Sequence, residues 1–344
     1  MVILGVSLLD AHPVKAQPSR YGKVRVVTRP GNRTIDVYVG GEIFTSLLYP
    51  DTLEKPVLYP VRDAAGVAVT RGFPLQPAPG DPTDHPHHLG IWFTYENVNG
   101  LDFWNNSYAI PASRKDSYGW IRTDRIISMS GGRRGVIEYH ANWTDSRRRV
   151  LLEETTRLVF SGAPGIRYID RITTLKATIP VTFADAKDGM YGIRLAHGLQ
   201  LPEKKTTQYR DDKGNITTVA ADTDPATTGD YLTSNGMSGD SAWGTRGIWC
   251  KNFGKLGKDS VSITIIDHPG NPGFPTYWHA RGYGLFAANP LGQKIFSGGR
   301  DSLNMHLNPG EMVTFRYRMI IQDGPRTLSA GELNREAAAF AKEN

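Results

Sequence analysis

Three of the chain's nine histidines fall within four residues, in the run Asp84-His85-Pro86-His87-His88-Leu89-Gly90-Ile91-Trp92. Imidazole moves protons near neutral pH, ligates metals and hydrogen-bonds hydroxyls. Pro86 restrains the local backbone and favours extended geometry at His85. An extended run would put His85 and His87 on one side and His88 on the other. A polar turn with its rings packed on a sheet is the plainer alternative, but packing alone seldom clusters histidines so tightly. His87 is the candidate acid or base here, with His85, His88 and Trp92 as substrate contacts.

Two further runs carry the same kinds of group. Asp185-Ala186-Lys187-Asp188-Gly189-Met190-Tyr191-Gly192-Ile193-Arg194-Leu195-Ala196-His197 places cations and carboxylates around a glycine-bearing strand entry. Lys187 and Arg194 can hold hydroxyls or a carboxylate, and Asp188 can take a proton or orient a histidine. A charged turn with Arg194 in a structural ion pair is the competing reading. Asp267-His268-Pro269-Gly270-Asn271-Pro272 leads on to Tyr277-Trp278-His279-Ala280-Arg281. Aromatic platforms beside His and Arg suit a sugar, whose C–H faces stack while its hydroxyls take polar groups. His279 is a second candidate acid or base and Asp267 a second orienting carboxylate. His268, Trp278 and Arg281 are candidate substrate contacts. A cofactor is not expected. A divalent metal on His85 and His87, with His279 or His197 as third ligand, is the alternative, although no HExxH helix or acidic cluster supports it.

These groups must be positioned by strands. After residue 20 the apolar period is two, as in Lys23 to Thr28 and Thr34 to Val39, with Pro30-Gly31-Asn32 turning between them. The rhythm recurs from Ile43 to Tyr49, Gly135 to Trp143, Val150 to Phe160, Ile166 to Leu175, Ser260 to Ile266, Gly282 to Ala288 and Met312 to Ile321. Asn99-Gly100 is a hairpin-turn signal that would fold the Ile91 to Tyr95 strand back on itself. A convincing helix appears only after Ser329, where Glu332 completes a capping box and Leu333, Ala337 and Phe340 share a face. Such a series predicts an all-β antiparallel sandwich or barrel and excludes βαβ folds. The polar stretch from Glu203 to Ser241 is either an active-site loop or a solvated insertion.

Composition narrows the class. The longest apolar run, Val2 to Leu9, is too short for a spanning helix. One cysteine, Cys250, excludes an internal disulfide and cysteine-based metal clusters. The net charge of +6 is spread out, with no basic helix or reader motif for nucleic acid. Val2 to Leu9 reads as the apolar part of an export signal, with Val14-Lys15-Ala16 before Gln17 as its cleavage site. Residues 1–16 are then a truncated signal peptide, residues 17–344 one domain, and the protein periplasmic or secreted. No motif speaks to oligomeric state.

The His-Pro-His-His-x-Gly-Ile-Trp run resembles the bacterial family labelled methane oxygenase PmoA. So do Asn99-Gly100-x-Asp102-Phe103-Trp104, Lys187-Asp188-Gly189-Met190-x-Gly192-Ile193-Arg194, and Asp267-His268-Pro269-x-Asn271-Pro272 leading to Trp278-His279-x-Arg281. The resemblance covers Ile35 to Gln322. Leu89 departs from it, standing where Arg is expected, and Asp188 stands where Glu is usual. Methane oxidation itself is membrane-embedded chemistry, which a chain without a spanning segment does not suit. The resemblance implies a galactose-mutarotase-like β-supersandwich, a fold shared by sugar epimerases, polysaccharide lyases and some glycosidases. The expectation is an exported protein acting on a carbohydrate by histidine acid/base chemistry. A non-catalytic glycan-binding protein is the alternative, and a metal-dependent hydrolase or oxidoreductase a third.

Overall fold

Period-two alternation becomes two eight-stranded sheets, antiparallel throughout. The computed structural model describes residues 22–29, 31–78, 80–202, 205–210 and 214–343, so the expected signal segment lies outside the described residues. The first sheet runs in the order Val24–Arg29, Thr34–Val39, Glu42–Leu48, Val57–Leu58, Ile91–Tyr95, Gly189–Arg194, Leu285–Asn289, Tyr277–Ala280. The second runs Asp230–Thr233, Trp249–Leu256, Asp259–Asp267, Met312–Asp323, Ile166–Ala177, Val150–Ala163, Gly135–Thr144, Trp120–Ser130. The predicted large antiparallel β-sandwich is the fold observed.

One face of each sheet fills the core between them. Phe93, Tyr191, Ile193 and Phe286 come from the first sheet, and Trp143, Leu158, Ile169 and Phe315 from the second. Burying such side chains contributes about 1.5–3 kcal/mol each. A charged network lies inside this core. Arg171 donates to Glu154 Oε1 at 2.9 Å and to the Tyr139 hydroxyl at 3.0 Å, while Trp143 Nε1 donates to Glu154 Oε2 at 2.7 Å.

The outer face of the second sheet is covered by the helix Ala330–Phe340, which starts at Ser329 with the predicted capping box. Its Leu333, Ala337 and Phe340 pack on Trp249, Ile266 and Ile320. The sequence reading anticipated this helix but not the single-turn Gln293–Phe296. Asn99-Gly100 does make a tight turn, with both residues at positive φ. The chain returns far enough for the Phe103 amide to donate to the Tyr95 carbonyl at 3.1 Å, while the Ile91–Tyr95 strand takes Gly189–Arg194 and Val57–Leu58 as its ladder partners.

The outer face of the first sheet carries a smaller apolar cluster: Val57, Tyr59, Leu89, Trp92, Trp104, Tyr283, Leu285 and Ala287. Two-residue alternation sorts the strands between the faces. Ile91, Phe93, Ile193 and Phe286 turn inward, while Trp92, Leu285 and Ala287 turn outward. The register sets Trp92 opposite Gly192, Gly192 opposite Ala287, and Ala287 opposite His279. Two bulky rings at the ends of this row are thus separated by a glycine and an alanine. A Cβ on Gly192 would lie 3.0 Å from Trp104 and 3.1 Å from Trp92. The glycine is what lets the two indoles lie on the sheet.

Candidate active site

A pocket of about 230 Å³ opens over this row. Ligand pockets commonly hold about 300–1,000 Å³, so this one has room for a single small ring. Five segments wall it: the histidine run, residues 105–111, Lys187 and Asp188, the strand pair Thr207–Arg210 with Ile216–Val219, and His279 to Tyr283. The hairpin answers the question left by the polar stretch. It supplies Tyr209, Arg210, Asn215, Ile216 and Thr217 to the wall, and Asn215 donates to the Tyr118 hydroxyl at 3.0 Å. Residues 105–111 are held by Lys115, which donates to Asn106 Oδ1 and to the Ser107 carbonyl, each at 2.7 Å.

The histidine run is not extended. His85 has φ +44°, and the His88 amide donates to the His85 carbonyl at 3.0 Å, closing a turn over Pro86 and His87. All three rings therefore converge instead of splitting between two faces. Pro86 biases its predecessor, but the packed environment overrides that bias. Gly90 completes the turn at φ +55°, where a Cβ would meet the Leu58 carbonyl at 2.2 Å. The rings of His85 and His88 stack at 4.8 Å, those of His85 and Tyr283 at 4.7 Å, and those of His88 and Trp92 at 5.1 Å.

Two buried arginines hold the run from below. Arg194 is bidentate to Asp84, at 2.8 Å to each carboxylate oxygen, and lies 3.2 Å from His88 Nδ1. Arg71 donates to the carbonyls of Asp84 at 2.7 Å and His85 at 3.0 Å. Burial alone would raise the Asp84 pKa, but Arg194, the His85 ring and Arg71 outweigh it and hold the carboxyl well below its usual range. His85 Nδ1 lies 2.5 Å from Asp84 Oδ2. Burial lowers the His85 pKa to about 4 against the pull of Asp84, so the ring is neutral at pH 7. A neutral ring beside an ionised carboxylate must carry its proton on Nδ1, which leaves the lone pair on Nε2.

The other pocket histidines are neutral too. Burial pushes His87, His88 and His279 well below the usual imidazole value, and neighbouring charges add to it. His279 Nε2 accepts from Arg281 Nε at 3.3 Å. Its Nδ1 stands 3.3 Å from Asp188 Oδ1 but outside hydrogen-bond geometry. Nε2 of His87, Nε2 of His88 and Nδ1 of His279 are buried without a partner among the described residues. Such orphaned polar atoms suit a hydroxylated ligand. Among the described residues, no three His, Cys, Asp or Glu side chains are arranged to hold a metal ion.

The expected site residues divide into three groups. His85, His87, His88, Lys187, Asp188, His279 and Arg281 line the pocket. Trp92 and Arg194, each 0% exposed, sit beneath it, so they support the histidines and do not reach a ligand. Asp267, His268 and Trp278 belong elsewhere. Residues 268–276 carry the chain from the second sheet to the first, which splits the third run in two. Asp267 closes that crossing by accepting from Asn271 Nδ2 at 2.7 Å and the Thr276 amide at 2.8 Å. His268 packs on Phe340 of the C-terminal helix at 5.2 Å. Trp278 turns into the core beside Phe286, because alternation gives the outward position to His279.

Asp84 adjoins His85, and that adjacency is the signal in the sequence for its role. Arg71 lay outside every motif. Tyr283, within the Gly282 to Ala288 alternation, is a pocket wall.

A family model described as a family of unknown function, DUF6807, matches residues 34–338. No curated protein matches the sequence. Among solved structures, an α-galactosidase from Geobacillus stearothermophilus is 10% identical, with 90% of this chain and 41% of that one covered and a TM-score of 0.37. An α-galactosidase from Lactobacillus brevis is likewise 10% identical, with 90% and 42% covered and a TM-score of 0.39. A putative aldose 1-epimerase from Escherichia coli K12 is 12% identical, with 88% and 98% covered and a TM-score of 0.32. The chain spans about two fifths of the length of the two galactosidases.

Proposed function

The chain belongs to the DUF6807 family of unknown function, and from its own pocket we propose a carbohydrate-active enzyme that performs proton transfer on a single sugar ring. The Asp84–His85 pair carries this reading. An ionised carboxylate fixes the tautomer and orientation of a neutral imidazole, an arrangement suited to a general base. His85 Nε2 would take a proton from a ring hydroxyl or an activated C–H. Asp84 would stabilise the imidazolium formed, and Arg194 and Arg71 keep Asp84 charged throughout. Lys187 and Arg281 would face the negative charge left on the sugar. Epimerisation and elimination both begin with steps of this kind.

On this reading His85 is the base, and His87 and His279, the candidates from sequence, are hydrogen-bonding partners. The small pocket of about 230 Å³, whose rings stack mainly on one another, supports catalysis on a single ring over binding along a shallow glycan groove. The motif resemblance to the family labelled methane oxygenase PmoA belongs to the same reading through the sugar-type fold it implies. The apolar start of the chain supports export to the periplasm or beyond. The test is a screen of monosaccharides and glycosides, followed by His85→Gln and His87→Gln on the best substrate. His85→Gln should lower turnover about 10²–10⁴-fold in a chain that still unfolds cooperatively, at some cost in melting temperature from the lost ring stacking. Turnover that survives His85→Gln, or a pocket that binds no sugar, overturns the proposal.

A further inference from the structure

Arg281 is held differently from the other cations of the pocket. Its guanidinium lies 4.3 Å from the centre of the Trp243 ring and 5.2 Å from that of Tyr209. Its Nε is committed to His279 Nε2 at 3.3 Å. Two aromatic contacts and one hydrogen bond fix the plane of the group. Its two terminal amino groups have no hydrogen-bond partner among the described residues, and no carboxylate pairs with it there. A planar guanidinium with both terminal nitrogens free is a fork for two coplanar oxygens. Among the described lining residues, Lys187, Arg210 and Arg281 stand beside one carboxylate, Asp188. Lys187 is 3.5 Å from Asp188, so that pair is largely self-neutralised. The positive excess therefore rests on the hairpin and on Arg281.

We propose that the pocket takes an acidic monosaccharide unit, a uronate, whose carboxylate is received by the Arg281 fork while its hydroxyls meet the orphaned histidine nitrogens. This rests on the sugar reading above and adds the substrate class to it. A guanidinium fork receives two oxygens of a carboxylate or of a phosphate, so the phosphate ligands in the experiment below decide between the two anions. The neighbouring hairpin contributes Tyr209 to the same clamp, so substrate charge and hairpin position are linked.

The experiment is calorimetric titration of the purified chain with glucuronate, galacturonate, their neutral parents glucose and galactose, glucose 6-phosphate, and inorganic phosphate. Arg281→Gln and Arg281→Lys follow, each checked for unchanged melting without ligand. A uronate should bind at least about tenfold more tightly than its neutral parent. Arg281→Gln should erase that preference, and Arg281→Lys should restore only part of it. Equal binding of neutral and acidic sugars overturns this inference and leaves the sugar reading standing. Tighter binding of glucose 6-phosphate or inorganic phosphate also overturns it, by making the anion a phosphate. Binding of none of these overturns the sugar reading together with it. Should either variant fail to fold, the ranking of ligands on the unaltered chain decides.

Discussion

Lowering the pH from 7.0 to 5.5 removes about 3 kcal/mol of folding stability if the pocket histidines are as neutral as their burial requires. His85, His87, His88 and His279 all have folded pKa values below the ordinary imidazole value, that of His85 being about 4. In the unfolded chain each titrates near 6.5 and is about 90% protonated at pH 5.5. Their stabilising contribution is therefore complete above pH 6.5 and is lost as the pH falls, by about 1.2 kcal/mol each and about 5 in all. Asp267 opposes them, because burial pushes its pKa up to about 7 and the folded state gains its proton in the same window. It returns about 2 kcal/mol. Asp63, raised by burial, and His268, lowered by it, shift the balance in opposite directions. Asp84, depressed below its usual range, loses its contribution only at lower pH. Urea unfolding followed by tryptophan fluorescence at the two pH values measures the difference. The melting temperature should fall by about 4 °C. His87→Gln should shrink the loss by about 1 kcal/mol. Equal stability at the two pH values would mean that the folded chain protonates these rings, which removes the neutral base from the mechanism.

Three other perturbations give distinct outcomes. Glu154→Ala strands Arg171 between the sheets and should cost about 3–5 kcal/mol in denaturant unfolding, whereas a loss under 1 kcal/mol would mean that water reaches the cation. Gly192→Ala drives a methyl against Trp92 and Trp104 and should cost about 1–3 kcal/mol while weakening ligand binding; an unchanged melting curve would show that the indoles yield freely. Deleting residues 1–16, read as a truncated export signal, should leave the melting curve nearly unchanged, whereas a large loss of thermal stability would mean that they belong to the fold.

The strands were legible because each sheet has one face in the core, so alternation in Thr34–Val39 or Met312–Asp323 is imposed by burial. The same alternation decided that His279 faces the pocket and Trp278 the core, but a period of two does not say which of two neighbours points where. The histidine run was visible as a cluster. Its turn was not, because the positive φ at His85 comes from contacts that Arg71 and Arg194 make from distant parts of the chain. The third run misled because proximity in sequence was taken for proximity in space, across a segment that changes sheets at Asp267.

The hairpin of Thr207–Arg210 and Ile216–Val219 forms a two-stranded sheet of its own, joined by backbone ladder to neither large sheet. It nevertheless forms one wall of the pocket, so that part of the ligand's surroundings is specified apart from the ladders of the sandwich. Insertions, deletions or wholesale exchange of that stretch would reshape what the pocket accepts at little risk to folding. Diversification within such a scaffold would concentrate there, and a library randomised between Thr207 and Val219 is where altered ligand choice should first be sought.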